Sequence, residues 1–110
     1  NAKVLLLGVA YKKDIDDMRE SPSLKLVELL LHHGADFKTV DPHVESYRVN
    51  GEVLHTSELT DELLDNADMV ILATDHTGFD YENIAKRSKV IFDTRNAFKG
   101  IETPNRYIKL

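Results

Sequence analysis

The sequence of 110 residues contains no cysteine, and that absence removes several kinds of chemistry. Without cysteine the chain can form neither a disulfide framework nor a thiolate zinc site, and it has no thiol nucleophile. An excess of basic residues is also missing, since 14 Lys and Arg against 19 Asp and Glu give a formal net charge of −5. Nonspecific nucleic-acid binding depends on pairing such cations with phosphates. We therefore expect no nucleic-acid partner, and any bound anion must be held by a local cluster of cations.

Long hydrophobic runs are missing as well. No apolar run approaches the roughly 20 residues of a membrane span, and no secretory signal is visible at the N-terminus. The sequence thus predicts a cytoplasmic location and no membrane partner. Its hydrophobic content of 42% is enough for one domain with a core of its own. Because the chain opens on Asn1 rather than methionine, directly before a strand-like segment, we expect residues 1–110 to be one domain of a longer protein.

What the sequence does contain is an alternation of short apolar runs with amphipathic segments, which is typical of a parallel sheet covered by helices. Strands are predicted over residues 3–9, 36–41, 53–55, 67–74, 89–93 and 107–110, the last as an edge strand. Helices are predicted between a Ser21 cap and Gly34, over 58–66 behind a Ser57 cap, and over 80–86, with 43–52 as an irregular loop. The expected fold is α/β, a Rossmann-like three-layer αβα domain with a mainly parallel sheet of five to six strands.

Glycine is scarce where a dinucleotide-binding loop would need it. The fingerprint G-x-G-x-x-G lets the backbone approach a pyrophosphate, but the equivalent positions here are Gly8, Ala10 and Lys13. The acidic residue that ends the second strand, Asp41, also lies much further along than the roughly 20 residues expected. NAD binding by this chain alone is therefore an unfavoured alternative.

The loop over residues 11–20 mixes basic side chains with a run of aspartates. A solvated loop with internal ion pairs is one interpretation. A calcium loop is disfavoured, because Arg19 and Lys25 stand where an EF-hand requires glycine and glutamate. The functional alternative is that the cations of this loop, joined by Arg95 from another strand end, reach a phosphate near a helix N-terminus.

The five histidines do not have the spacing of metal ligands. His32 and His33 are adjacent on a predicted helix, so their side chains point about 100° apart and do not chelate together. His43 and His55 are isolated in the sequence. His76 follows a strand end, where we interpret it as a turn residue, with a cleft-lining role as the alternative. No metal site is predicted.

A long motif carries a family resemblance. Residues 8–22, Gly-Val-Ala-Tyr-Lys-Lys-Asp-Ile-Asp-Asp-Met-Arg-Glu-Ser-Pro, resemble the segment that opens the C-terminal, UDP-binding domain of the UDP-glucose/GDP-mannose dehydrogenase family. The similarity continues in order through 41–42, 71–76 and 92–96. The residues of these motifs are most similar to those of the branch that acts on UDP-N-acetylhexosamines, with UDP-glucose as the alternative substrate. A free-standing Rossmann-like module for binding or assembly is the alternative from a different class.

The resemblance implies roles for four residues. Tyr11 and Lys12 match positions at the UDP-sugar, Arg95 matches an arginine that contacts substrate, and Arg19 matches one that reaches NAD on another domain. This chain departs from the family at two positions, because members often carry Phe at the place of Tyr11 and Gly at the place of Thr94.

The resemblance also implies what lies outside the chain. Such enzymes oxidise the sugar C6 alcohol to a carboxylate with NAD and a catalytic cysteine, both held mainly by upstream domains. We therefore expect the N-terminal NAD-binding and central domains of the same enzyme as partners, a homo-oligomer in the full-length protein, and a place in polysaccharide biosynthesis. Residues 1–110 alone are expected to be inactive.

Overall fold

The computed structural model describes residues 2–9, 22–49 and 51–109, which form a parallel sheet with helices on both faces. In chain order the elements are β1 (Lys3–Leu7), α1 (Pro22–His32), β2 (Asp36–Val40), β3 (Ser46–Val49), β4 (Glu52–His55), α2 (Asp61–Asn66), β5 (Met69–Leu72), α3 (Tyr81–Arg87), β6 (Val90–Asp93) and β7 (Arg106–Lys109). The main sheet has five parallel strands in the order β2-β1-β5-β6-β7, and β3 and β4 form a separate antiparallel hairpin. The predicted Rossmann-like α/β fold is confirmed, with β7 at the sheet edge. Within the described residues, no helix has the length and apolar character needed to cross a membrane.

The sheet separates two hydrophobic cores. Leu5 and Leu7 of β1 point to one face, where they pack with buried residues of α2 and α3. Leu6 points to the other face, where it packs with Val27 of α1 and with the buried side chains of the hairpin. Because both faces of β1 are covered, the strand is apolar almost throughout instead of alternating with polar residues.

Helix α1 ends at the glycine that the sequence singled out. Gly34 has φ of 65°, and its N–H donates to the carbonyl oxygen of Leu31 at 3.1 Å. The N–H of Ala35 donates to the carbonyl oxygen of Leu30 at 2.9 Å. These two bonds form the Schellman arrangement, in which a left-handed residue satisfies the last helical carbonyls.

The prediction of an irregular loop over 43–52 is wrong in its second half. Residues Ser46–Val49 form β3 and pair with β4 across a turn at Gly51, whose φ is 82°. Tyr47 and Val49 are buried while their neighbours in the strand are exposed, so this segment has the period-two pattern of a half-buried strand. The hairpin packs on the same face of the sheet as α1.

The predicted start of the second helix is also wrong, by three residues. Helix α2 begins at Asp61, because the hydroxyl oxygen of Thr60 accepts the N–H of Leu63 at 3.1 Å and so caps the first turn. Ser57 has a different role, since its N–H donates to the carbonyl oxygen of Thr39 at 2.7 Å. That bond holds the segment between β4 and α2 against β2, so the helix begins only after it.

Candidate functional site

The carboxyl ends of the five parallel strands meet at one edge of the sheet. At the end of the aligned strands, Leu72 of β5 lies opposite Leu7 of β1 on one side and Asp93 of β6 on the other. The chain runs from β1 outward to β2, then returns to β5 on the other side of β1. Ligands of open α/β sheets bind beyond the carboxyl edge at such a reversal of strand order.

Gly8 allows the loops that follow β1 and β5 to touch. Its φ is +89°, and a Cβ built there would lie 2.6 Å from the Cβ of Thr74 and 2.7 Å from its carbonyl oxygen. The N–H of Gly8 donates to the carbonyl oxygen of Val40 at 2.7 Å. Gly8, the one fingerprint glycine that is present, therefore allows its backbone to approach Thr74. Thr74 occupies the space that a side chain at position 8 would need.

Asp41, directly after β2, binds the start of the loop that carries most of the predicted site. Its Oδ2 accepts the N–H of Val9 at 2.8 Å and lies 2.9 Å from Nε2 of His76. Its Oδ1 accepts the N–H of His43 at 2.8 Å. The side chains of Asp41 and His76 are both fully buried. This carboxylate therefore joins the ends of β1, β2 and β5 into one unit.

His76 is more than the turn residue that the sequence suggested. Its carbonyl oxygen does accept the N–H of Phe79 at 3.4 Å, so its backbone opens a turn. Its ring, however, lies in the core with a centroid 4.7 Å from that of His43 and 5.8 Å from that of Phe79. The hydroxyl of Tyr81 donates to the same carbonyl oxygen at 2.6 Å. The buried ring of His76 contacts the carboxylate of Asp41 from the core side and does not line an open cleft.

Asp93, the last residue of β6, organises a second loop. Its Oδ1 accepts the N–H of Arg95 at 2.9 Å, and its Oδ2 accepts the N–H of Phe98 at 3.1 Å and the hydroxyl of Tyr107 at 2.7 Å. Burial raises the pKa of this carboxyl, but the hydrogen bonds from Tyr107 and from the backbone N–H groups of Arg95, Phe98 and Ala97 outweigh it and hold the pKa below its usual value. The carboxylate is therefore the stable form.

Tyr107 is the protonated partner in this pair. Burial, the hydrogen bond to Asp93 and the negative charge of Asp93 raise the pKa of its phenol from 10.0 to about 12. At neutral pH the hydroxyl is consequently a donor to a carboxylate, which is a short and strong type of hydrogen bond.

Of the three predicted substrate-binding residues, Arg95 is the one that lies within the described residues. It is at the carboxyl edge of the sheet with its side chain exposed. Its Nε donates to the carbonyl oxygen of Ala73 at 3.0 Å, which restricts the orientation of the guanidinium. Within residues 2–9, 22–49 and 51–109 the guanidinium has no carboxylate partner, whereas Arg87 on α3 pairs with Asp61 and Asp65. Arg95 borders a hollow of about 290 Å³ lined by Ser23, Leu26, Ile71, Ala73 and Thr94.

A larger hollow of about 410 Å³ lies on the other face, beside α2 and α3. Among the described residues, its lining includes the acidic Asp41, Glu58, Asp61 and Asp80 and no lysine or arginine. A phosphate would meet four carboxylates there and no basic side chain of the described residues. Electrostatics therefore favours the smaller hollow beside Arg95 as the place for an anionic ligand.

Three of the predicted site residues, Tyr11, Lys12 and Arg19, lie outside the described residues. The structure thus places one end of their loop, at Val9, and leaves their contacts as predictions from the family resemblance. Among the described residues no group of three His, Asp or Glu side chains is arranged to hold a metal ion.

Comparison with known proteins identifies the family. The sequence model for the UDP binding domain of the UDP-glucose/GDP-mannose dehydrogenase family matches residues 5–100. A UDP-N-acetyl-D-mannosamine dehydrogenase of Pyrococcus horikoshii is 36% identical over 103 residues, which cover 89% of this chain and 22% of that protein. One of Methanococcus maripaludis is 33% identical over 104 residues, 86% of this chain and 22% of that protein. The chain thus spans about a fifth of the length of these relatives.

Solved structures agree with the sequence match. The UDP-D-ManNAc dehydrogenase from Pyrococcus horikoshii superposes with a TM-score of 0.75 at 31% identity, over 98% of this chain and 25% of that one. The UDP-N-acetyl-mannosamine dehydrogenase from Staphylococcus aureus gives a TM-score of 0.74 at 31% identity, over 99% of this chain and 26% of that one. The resemblance found in the motifs is confirmed: this chain belongs to the UDP-glucose/GDP-mannose dehydrogenase family and corresponds to its UDP binding domain.

Proposed function

We propose that this chain holds the uridine diphosphate of a UDP-sugar at the carboxyl edge of its sheet, as one domain of an NAD-dependent UDP-sugar 6-dehydrogenase. The observation that carries the proposal is the exposed, oriented guanidinium of Arg95, which has no carboxylate partner among the described residues and stands beside the strand-order reversal. A planar guanidinium suits two phosphate oxygens at once. Tyr11 and Lys12 complete the site in this proposal, with the aromatic ring and ammonium directed at the nucleotide sugar.

The chemistry is divided between this chain and the rest of the enzyme. Oxidation of a C6 alcohol to a carboxylate through a cysteine adduct needs a cysteine, and residues 1–110 contain none. NAD and the nucleophile therefore belong to the N-terminal and central domains, and Arg19 reaches toward NAD from this side. The domain binds and orients substrate, and it is inactive alone.

The sugar that we propose is N-acetylmannosamine or N-acetylglucosamine. The motif over residues 8–22 is most similar to the branch for UDP-N-acetylhexosamines, and the relatives named above are UDP-N-acetyl-D-mannosamine dehydrogenases. UDP-glucose is the alternative substrate. The full-length protein is proposed to be a cytoplasmic homo-oligomer that supplies uronic-acid precursors for polysaccharides.

Titration of the chain of 110 residues tests the binding role. Backbone amide NMR shifts would be followed while UDP, UDP-N-acetylglucosamine, GDP and NAD are added separately. We expect UDP and its sugar to shift residues 8–12, Asp41 and Arg95, and we expect NAD to shift little. Arg95→Ala should weaken UDP binding about tenfold or more, because it removes hydrogen bonds between charged groups.

The matched control is Arg106→Ala, which removes an exposed arginine from the opposite edge of the sheet, at the first residue of β7. That variant should bind UDP like the wild type. Clear NAD binding without UDP binding, or equal loss in both arginine variants, would contradict the proposal. Absence of any UDP shift at millimolar concentration would show that this chain alone does not hold the nucleotide.

A further inference from the structure

Next to Arg95 lies the buried carboxylate of Asp93, which accepts the hydroxyl of the half-buried Tyr107. We propose that these two side chains are positioning residues, which hold Arg95 in the orientation that binds the phosphates of the UDP-sugar. The inference rests on the proposed function of Arg95 and deepens it. Neither residue touches the ligand, and both act through the loop that carries Arg95.

The first argument is the way in which Asp93 closes that loop. Its two oxygens accept the N–H groups of Arg95 and Phe98, so one rigid carboxylate binds the beginning and the end of the turn. Between them Asn96 has φ of 58°, a left-handed conformation that asparagine tolerates better than most residues. A turn of this kind needs fixed ends to keep its shape, and Asp93 supplies both.

The second argument concerns the side chain of Arg95. Its Nε is held by the carbonyl oxygen of Ala73 at 3.0 Å, and the N–H of Ala73 is bound in turn to the carbonyl oxygen of Leu7 at 2.9 Å. The backbone of Arg95 is held by Asp93 at 2.9 Å. With one fixed point on the backbone and another on the side chain, the outer nitrogens have a defined direction, and two-pronged phosphate binding requires that geometry.

The third argument is electrostatic. A carboxylate this close to an arginine would ordinarily form an ion pair with its guanidinium and compete with any anionic ligand. Here the oxygens of Asp93 are occupied by backbone N–H groups and by the hydroxyl of Tyr107 at 2.7 Å. Asp93 therefore binds the backbone of Arg95 and leaves the outer N–H groups of the guanidinium available to a ligand. Tyr107 contributes to this arrangement, because its hydroxyl is the second donor to Oδ2 of Asp93.

A double-mutant cycle on UDP binding tests the proposal in the chain of 110 residues. Tyr107→Phe removes one hydroxyl and should weaken UDP binding about threefold, and Asp93→Asn should weaken it about tenfold. The control is Tyr47→Phe, which removes a buried hydroxyl bonded to Thr39 at 2.9 Å, three strands away from β6. Tyr47→Phe should leave UDP binding unchanged even where it lowers stability.

The decisive comparison uses the Arg95→Ala background. If Tyr107 and Asp93 act through Arg95, their substitutions have no further effect on UDP binding once Arg95 is absent. Effects that persist in that background would mean general damage to the fold and would overturn the proposal. If Arg95→Ala itself leaves UDP binding unchanged, the proposed function is wrong. If Arg95→Ala weakens binding while Tyr107→Phe and Asp93→Asn do not, only the positioning role is wrong.

A second measurement needs no ligand. In the free chain the Nε–H of Arg95 should exchange slowly with solvent, because it donates to Ala73. Tyr107→Phe and Asp93→Asn should both speed this exchange severalfold, and Tyr47→Phe should not. Unchanged exchange in both variants would contradict the positioning role whatever the affinity for UDP.

Discussion

Asp41 and Asp93 are two buried carboxylates at the same edge of the sheet, and they differ in what they join. Asp41 binds the N–H of Val9 after β1 and contacts His76 after β5, so it connects three strand ends. Asp93 binds two N–H groups of its own loop and the hydroxyl of Tyr107 on the neighbouring β7. The first carboxylate therefore holds the centre of the fold together, whereas the second shapes one loop at its side.

The difference shows how one kind of side chain serves stability in one place and orientation in another. A buried carboxylate is costly unless each oxygen has donors, and both aspartates meet that condition. The two aspartates differ in how many strands and loops their donors come from. An aspartate whose donors come from more elements holds more of the molecule together. Removing Asp41 should loosen the whole edge, and removing Asp93 should chiefly release Arg95.

The largest effect is expected for Asp41→Ala. The change removes the buried carboxylate that accepts the N–H groups of Val9 and His43 and contacts the ring of His76, and loss of these buried hydrogen bonds costs about 4 kcal/mol. The free energy of unfolding, measured in urea, should fall by that amount. Asp93→Ala should cost about half as much, since it affects one loop.

Glu62→Ala on the exposed side of α2 is the control, and it should change stability by less than about 0.5 kcal/mol. A larger loss for Asp93→Ala than for Asp41→Ala would reverse the comparison between the two carboxylates.

A smaller loss is expected for Gly8→Ala, which tests whether the central loops depend on close contact as well as on Asp41. The new Cβ would overlap Thr74 at 2.6 Å and would sit at a positive φ of 89°, at a cost of about 3 kcal/mol. Gly34→Ala is the matched control, because φ is also positive there at 65° but no atom beyond the neighbouring residues of the chain lies within 4 Å of the added carbon. It should cost about 1 kcal/mol by thermal unfolding. Equal losses would mean that strain, and not the contact with Thr74, limits position 8.

Much of this edge could be predicted from local sequence patterns. The apolar runs over 3–9, 67–74 and 89–93 gave the central strands, and the placement of Asp41 and Arg95 after strand ends put both at the ligand side. These predictions succeed because a strand buried on both faces has a continuous apolar signature and because parallel strands share one carboxyl edge.

The interactions that complete the edge could not be predicted in the same way. Asp41 and His76 are 35 positions apart, and Asp93 and Tyr107 are 14 apart, so each pairing depends on the sheet register. Strand β3 was missed although Ser46–Val49 alternates, because the preceding Asp41-Pro42 suggested a loop. The helix start at Thr60 instead of Ser57 was decided by a backbone bond to Thr39, a tertiary contact that outweighs local capping preference.

The smallest effect is expected at alkaline pH, and it tests the Asp93 side of the comparison. The phenol of Tyr107 has its pKa raised from 10.0 to about 12 by burial and by Asp93, so the folded chain favours the neutral form. Below pH 10 the phenol is protonated in both the folded and the unfolded chain, and its contribution to stability is complete. Between pH 10 and about 12 the phenol of the unfolded chain loses its proton while that of the folded chain keeps it, so this contribution is lost. Water screens this half-buried group, which keeps the effect modest.

The measurement is the free energy of unfolding of the wild type and of Tyr107→Phe as a function of pH. The wild type should lose more stability than the variant between pH 10 and 12, and the two curves should run parallel below pH 10. Burial also raises the pKa of Tyr47, so Tyr47→Phe should flatten the alkaline fall as well, but without changing the exchange of the Arg95 side chain. A Tyr107→Phe curve that stays parallel to the wild type up to pH 12 would mean that the phenol ionises as freely in the fold as outside it, and Asp93 would then not depend on Tyr107 as its donor.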